Sequence, residues 1–162
     1  MKCLVCYVSK TGTTEEIAQR VGKILEGRGI ETDVAAIGSA PDIRGYDRII
    51  LGSPVNGMKV LPEFSAFLAG TIAGKGVPVD IFIVSYMYEK GREIWKRAIR
   101  KEKARLQAMV NPSSIEILGG RLPGKLPGFA RFIFGISDDQ PLDMRDWDRI
   151  EVWARSLAES KT

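Results

Sequence analysis

A doubly wound α/β domain, with helices on both faces of a five-stranded parallel sheet, is the fold class predicted by three observations. Five apolar, β-type runs alternate with segments of helical periodicity. Several of those runs are nearly continuous in apolar residues, as strands covered on both faces are. A hydroxyl-rich loop joins the first run to the first helical segment, where open α/β sheets bind their ligands.

The strands are expected at Lys2 to Val8, Thr32 to Ile37, Arg48 to Leu51, Val77 to Ser85 and Ser114 to Leu118. Between them, Thr14 to Arg28 carries Ile17, Val21, Ile24 and Leu25 at helical spacing, with Gly29 as a stop. Pro62 to Ile72 opens on a proline suited to a first turn and carries the stripe Phe64, Phe67, Leu68 and Ile72. Gly91 to Met109 sets Ile94, Ala98, Ile99 and Leu106 among many cations, which predicts a surface helix with a solvated basic face. The closing helix begins near Asp143, a candidate cap, and buries Trp147, Ile150, Ala154 and Leu157. The connection Gly38 to Gly45 has room for about one helical turn. Right-handed crossovers then give strand order 2-1-3-4-5.

The 162 residues suit one domain, residues 1–162, and such a chain buries roughly 68–70% of its unfolded surface. With 44% apolar and 27% charged residues and no long apolar run, nothing predicts a membrane span, and the N-terminus lacks a cleavage signal. A cytoplasmic protein is expected. Cys3 and Cys6 are spaced like a metal or redox pair, but in a strand they point to opposite faces about 10 Å apart. Two buried thiols are the reading, and without a second such pair or any histidine no metal site is expected. The absence of histidine also removes the usual general base of nucleophilic catalysis. The net charge of +4, with a pI near 9.1, admits anionic ligands or surfaces without choosing among them.

Ser9-Lys10-Thr11-Gly12-Thr13-Thr14 lies between the first strand and the first helix. Hydroxyls and a glycine at a helix N-terminus suit a phosphate, because free N–H groups and the positive end of the helix dipole converge there. The bland alternative is a plain helix cap followed by acidic Glu15 and Glu16. The glycine-rich dinucleotide fingerprint and the nucleotide-triphosphate loop are both absent. Tyr7-Val8-Ser9 offers no acidic group for a receiver domain, and a cysteine phosphatase loop on Cys6 needs arginine where Gly12 stands.

Ser9-x-Thr11-Gly12-x-Thr14 resembles the phosphate loop of flavodoxins, and Gly52-Ser53-Pro54-Val55-Asn56-Gly57, after the third strand, resembles the loop of that family which lines the flavin ring. The resemblance implies a flavodoxin-like fold that binds FMN. Ser9, Lys10, Thr11, Gly12, Thr13 and Thr14 would hold its phosphate, and Ser53, Pro54, Val55, Asn56 and Gly57 would line the ring edge. Asn56-Gly57 tolerates positive φ, so its peptide can take alternative orientations. Ser85, Tyr86, Met87 and Tyr88 occupy the place of the second flavin loop, where a tyrosine can stack. No aromatic stands between Ser53 and Lys59, which would leave one side of the flavin open. No side chain is expected to act as a catalytic nucleophile, since the flavin carries the chemistry.

Gly119 to Gln140 is too long for an ordinary strand-to-helix connection and reads as an inserted functional loop. Its position, the basic helix before it and the Trp147 and Trp153 of the last helix are similar to the menaquinone-dependent protoporphyrinogen oxidase branch of the superfamily. That resemblance implies an oxidoreductase passing electrons to a quinone, with a non-enzymatic flavodoxin carrier serving a redox partner protein as the alternative. The insertion, with Arg121, Lys125 and Arg131 beside Phe129, Phe132, Ile133 and Phe134, would then meet anionic lipid as a peripheral contact at the inner face of the membrane. Alternatively, Phe129 to Ile136 packs as a helix across the sheet edge. Nucleic acid is not expected, because acidic Glu93 and Glu102 accompany the basic helix Lys96 to Arg105 and no base-stacking platform does, which argues for a solvated face. A homodimer is compatible with the sequence.

Overall fold

The computed structural model describes residues 1–122, 124–137 and 141–160. Five parallel strands run in the order β2-β1-β3-β5-β6, formed by β1 (Lys2–Tyr7), β2 (Glu31–Ala36), β3 (Arg48–Asn56), β5 (Val79–Val84) and β6 (Ser114–Leu118). The short strand β4 (Lys59–Val60) turns back antiparallel on the end of β3. The parallel order is the one expected from sequence, with β5 and β6 as the fourth and fifth expected strands.

Helices α1 (Thr13–Gly27) and α6 (Trp147–Glu159) cover one face, where Ile17, Val21, Trp153 and Leu157 meet Val5, Ile50 and Phe82. On the other face α2 (Pro62–Phe67) and α4 (Glu93–Val110) bring Phe64 and Leu106 onto Leu4, Ile49 and Ile81. Burial on both sides is why the strands read as continuous apolar runs. Cys3 belongs to the first core and Cys6 to the second, both free, and burial pushes the Cys6 thiol up to about 12. Neither is a poised nucleophile.

Several local features depart from the sequence reading. The last turn of the second helix loosens into a π-type turn at Leu68–Ile72, and the thin crossover after β2 consists of two 3-10 turns, Ile37–Ser39 and Ile43–Gly45. Asp146, not Asp143, caps α6 by accepting from the Arg149 N–H. Asp143 instead accepts from the Arg145 backbone and guanidinium. Glu102 is not part of a solvated face: it is 4% exposed and accepts from the Val60 N–H at 3.1 Å. Trp147, at 36% exposure, packs at the surface beneath the Arg145 guanidinium rather than in the core.

The edge of the sheet away from the C-terminal strand ends is locked by a buried ion pair. Arg48 Nε donates to Asp80 at 2.6 Å, with side chains 6% and 0% exposed. The Arg48 guanidinium also donates to the carbonyl oxygens of Leu157 and Ser160, and Ser114 Oγ donates to Asp80. One cluster therefore joins β3, β5, β6 and the end of α6. Arg48→Ala leaves Asp80 charged and buried, and is expected to cost about 3–5 kcal/mol, read as a large fall in the urea midpoint with an unchanged slope.

Candidate functional site

The chain leaves β1 toward one face of the sheet and β3 toward the other, which opens a crevice above their C-terminal ends. Residues from three strand-to-helix segments and from the insertion line a cavity of about 360 Å³ there.

The first segment precedes α1. Gly12 takes φ +87° and turns the chain into the helix, a conformation that costs a side-chain-bearing residue about 1–2 kcal/mol. Its N–H donates to Ser9 Oγ at 3.0 Å. Ser9 thus folds the loop and does not line the cavity. No side chain caps the helix, so its first N–H groups keep their capacity for an incoming acceptor. Thr13 and Thr14 are buried, Lys10 and Thr11 are exposed at the rim, and all four line the cavity. The Thr14 Oγ1 atom is buried without any hydrogen-bond partner among the described residues. A buried orphan hydroxyl costs about 1–3 kcal/mol. An anion seated on the helix N-terminus relieves that cost and takes up the unmade N–H bonds.

The second segment is a hairpin, not an open loop. Pro54, Val55 and Asn56 continue β3, and Gly57 and Met58 form its two-residue turn at φ +58° and +65°. Both angles are positive, as a twisted two-residue hairpin requires. All five line the cavity. Ser53 is fully buried below them and accepts from the Leu61 N–H at 3.3 Å, so its hydroxyl is committed to the hairpin base. Glu102 holds the same base through Val60. Burial pushes its carboxyl up, but hydrogen bonds from Arg105 and the Val60 N–H outweigh that and leave it below the usual range.

The third segment begins with Ser85, whose Oγ accepts from the Tyr88 N–H and caps the short helix α3 (Tyr86–Lys90). Ser85, Tyr86 and Met87 line the cavity, whereas Tyr88 does not. Tyr86 is buried, and its hydroxyl donates to the Pro141 carbonyl at 2.7 Å. Burial raises its phenol above the ordinary value.

The insertion supplies a wall that the sequence did not assign to the site. Gly120, Arg121, Leu122, Leu126 and Phe134 face the cavity, so Tyr86 and Phe134 both bring aromatic rings to a site whose hairpin has none. The expected open side is therefore partly covered. Within 119–140, residues Gly128–Phe134 form the helix α5, while Pro123, Asp138, Asp139 and Gln140 lie outside the described residues. The available signal was position, since an apolar segment directly after the last strand emerges at the same sheet edge as the two loops. Two arginines fasten this wall: Arg121 and Arg145 both pair with Glu16 in the first turn of α1, and Arg145 also pairs with Asp143.

A family model described as a flavodoxin domain matches residues 4–134. The chain belongs to the flavodoxin-domain family. Oxidised flavodoxin 1 from Bacillus cereus is similar over 100% of both chains, at 14% identity and a TM-score of 0.63. The flavodoxin of Streptococcus pneumoniae TIGR4 covers 98% of this chain and 99% of its own, at 18% identity and a TM-score of 0.64. A flavodoxin from Archaea covers 98% and 97%, at 17% identity and a TM-score of 0.63. At such identities the likeness is one of fold. No helix among the described residues of this flavodoxin domain is long and apolar enough to cross a membrane.

Two outcomes test this geometry. Thr14→Val removes the orphan hydroxyl while keeping shape, and is expected to stabilise the ligand-free protein by about 1 kcal/mol or more, seen as a higher urea midpoint. Glu16 and Asp143 are held below the ordinary carboxylate range, in each case mainly by hydrogen bonding to Arg145. Their folded-state pKa values are depressed, so the fastening is complete at neutral pH and is lost as pH falls through those depressed values. Glu16→Gln should reproduce the acid state at neutral pH, and faster proteolysis within residues 119–137 checks it.

Proposed function

We propose that this flavodoxin domain is an FMN-binding redox protein, and that it acts as an oxidoreductase delivering electrons to a quinone. The observation that carries the FMN reading is the buried, partnerless Thr14 hydroxyl at an uncapped helix N-terminus inside the cavity. The chemistry of the site agrees with that cofactor: hydroxyls, backbone N–H groups and a lysine at one end suit a phosphate, and apolar walls from Val55, Met87, Leu126 and Phe134 suit a flat ring. Bound FMN supplies the transfer of one or two electrons.

The chain's own residues bind and orient. Thr11, Thr13 and Thr14 hold the phosphate, with Lys10 adding positive charge at the rim. The hairpin presents Gly57 and Met58 as backbone donors and acceptors, since these two turn residues lie outside the β3–β4 ladder that Asn56 closes with Lys59. Tyr86 gains rigidity from its bond to Pro141, and Leu122, Leu126 and Phe134 exclude water from one wall.

The quinone reading, on the protoporphyrinogen-oxidase-like branch, draws support from that extra apolar wall, which suits a hydrophobic acceptor beside the ring. A carrier serving a redox partner protein is the second reading, favoured by the similarity of free-standing flavodoxins over almost the whole chain.

The first experiment is the visible absorption spectrum of protein purified without added cofactor, then after FMN is added and excess removed. Retained, ring-perturbed flavin bands are expected, with binding weakened about tenfold or more by Thr14→Val, the loss of one hydrogen bond to a charged group. Protein that leaves FMN spectrally free and fully separable sinks the proposal. Reoxidation of the reduced protein by a short-chain quinone, compared with a protein acceptor, then separates the two roles.

A further inference from the structure

Helix α5 buries little of its apolar content. Phe129, Phe132 and Ile133 are 72%, 76% and 49% exposed, and their spacing puts all three on one side of the helix. The helix is nevertheless firmly seated. Arg92 donates to the Phe132 carbonyl at 2.8 Å and stacks its guanidinium on the Phe132 ring, Trp95 donates to the Ile133 carbonyl, and Trp95 meets Phe134 edge to face. In the first turn of α4, beside Arg92, Ile94 adds another apolar side chain at 66% exposure.

The charges near this face are mostly positive, and the carboxylate beside Ile94, Glu93, is paired with Arg100. Residues 119–137 contain Arg121, Lys125 and Arg131 and no carboxylate, which resume only at Asp138. Lys125 and Arg92 are exposed. Four such side chains present on the order of 500 Å² of surface, short of the roughly 800 Å² per partner that a stable protein interface buries. A rigid apolar face too small for a stable dimer and set among cations matches what an interfacial helix presents to lipid, with aromatic rings entering the acyl boundary and cations meeting the headgroups.

We propose that α5 is a lipid-docking face that seats this protein on a bilayer bearing anionic headgroups. Phe129, Phe132 and Ile133 enter the interface, while Lys125 and Arg92 contact the headgroups. Phe134 lies on the same helix and lines the cavity, so docking sets the cavity wall against the bilayer surface. The inference deepens the quinone reading by naming where that acceptor is met, but the lipid contact itself does not require FMN.

Flotation of the full chain with vesicles of phosphatidylcholine plus phosphatidylglycerol, against phosphatidylcholine alone, is the test. The expected result is binding to the anionic vesicles that weakens in high salt and falls about tenfold or more in Phe129→Ser/Phe132→Ser. Lys125→Glu, which leaves the apolar face intact, should weaken binding in the same direction. Circular dichroism and FMN retention report separately on folding and on the cofactor site. Failure of a folded wild-type protein to float, equal binding to both vesicle types, or equal flotation of the double variant each overturns the proposal. So does a wild-type dimer in light scattering that the double variant dissolves, since the face then belongs to a second copy. Patch-dependent flotation of protein that refuses FMN upholds the lipid contact while ending the flavin reading.

Discussion

The crevice exists because two neighbouring strands send the chain to opposite faces of one sheet. β1 continues into α1 on one side and β3 into α2 on the other, so neither connection can cross above their C-terminal ends. Everything that lines the site depends on this divergence. The uncapped start of α1, the β3–β4 hairpin, the cap of α3 and the insertion after β6 all emerge at that sheet edge. At the other edge Arg48 and Asp80 bind β3, β5 and β6 to the end of α6 and so hold the frame together.

The hydroxyls of the site divide by what they satisfy. Ser9, Ser53 and Ser85 each accept a backbone N–H and thereby fold the segment that carries them. The Thr14 hydroxyl satisfies nothing among the described residues. The sequence does not separate these roles, because a serine that shapes a loop and a threonine that waits for a ligand look alike until their neighbours are in place. Keeping one polar group unsatisfied is a stability cost of the kind that collects where ligands bind.

The strands and long helices were legible because their apolar periodicity is local and repeated over many residues. Short elements were not. β4 spans two residues, and its turn uses Met58 at positive φ, which no composition rule anticipates for a methionine. Glu102 looks like one more charge on a polar helix, and only the arrival of the Val60 N–H makes its burial sensible. Asp143 and Asp146 are equally good caps on paper, but Arg145 engages the first and leaves the second to the helix. The phosphate loop was readable as a complete local motif, whereas the wall formed by Leu122, Leu126 and Phe134 was hidden in a segment whose path depends on the packing of α5 against α4.

Glu16 sits one turn into α1, close to the place an anion would occupy, and would ordinarily oppose it. Arg121 and Arg145 draw that carboxylate into ion pairs instead. Lys10, at the rim, has no such counterion among the described residues. The field at the mouth therefore points the right way before any ligand arrives, and an anionic molecule is attracted from a distance comparable to the Debye length, about 8 Å in physiological salt. Capture rate and holding strength are thus governed by different groups: surface charges that salt can screen control the first, and a buried threonine that salt cannot reach contributes to the second.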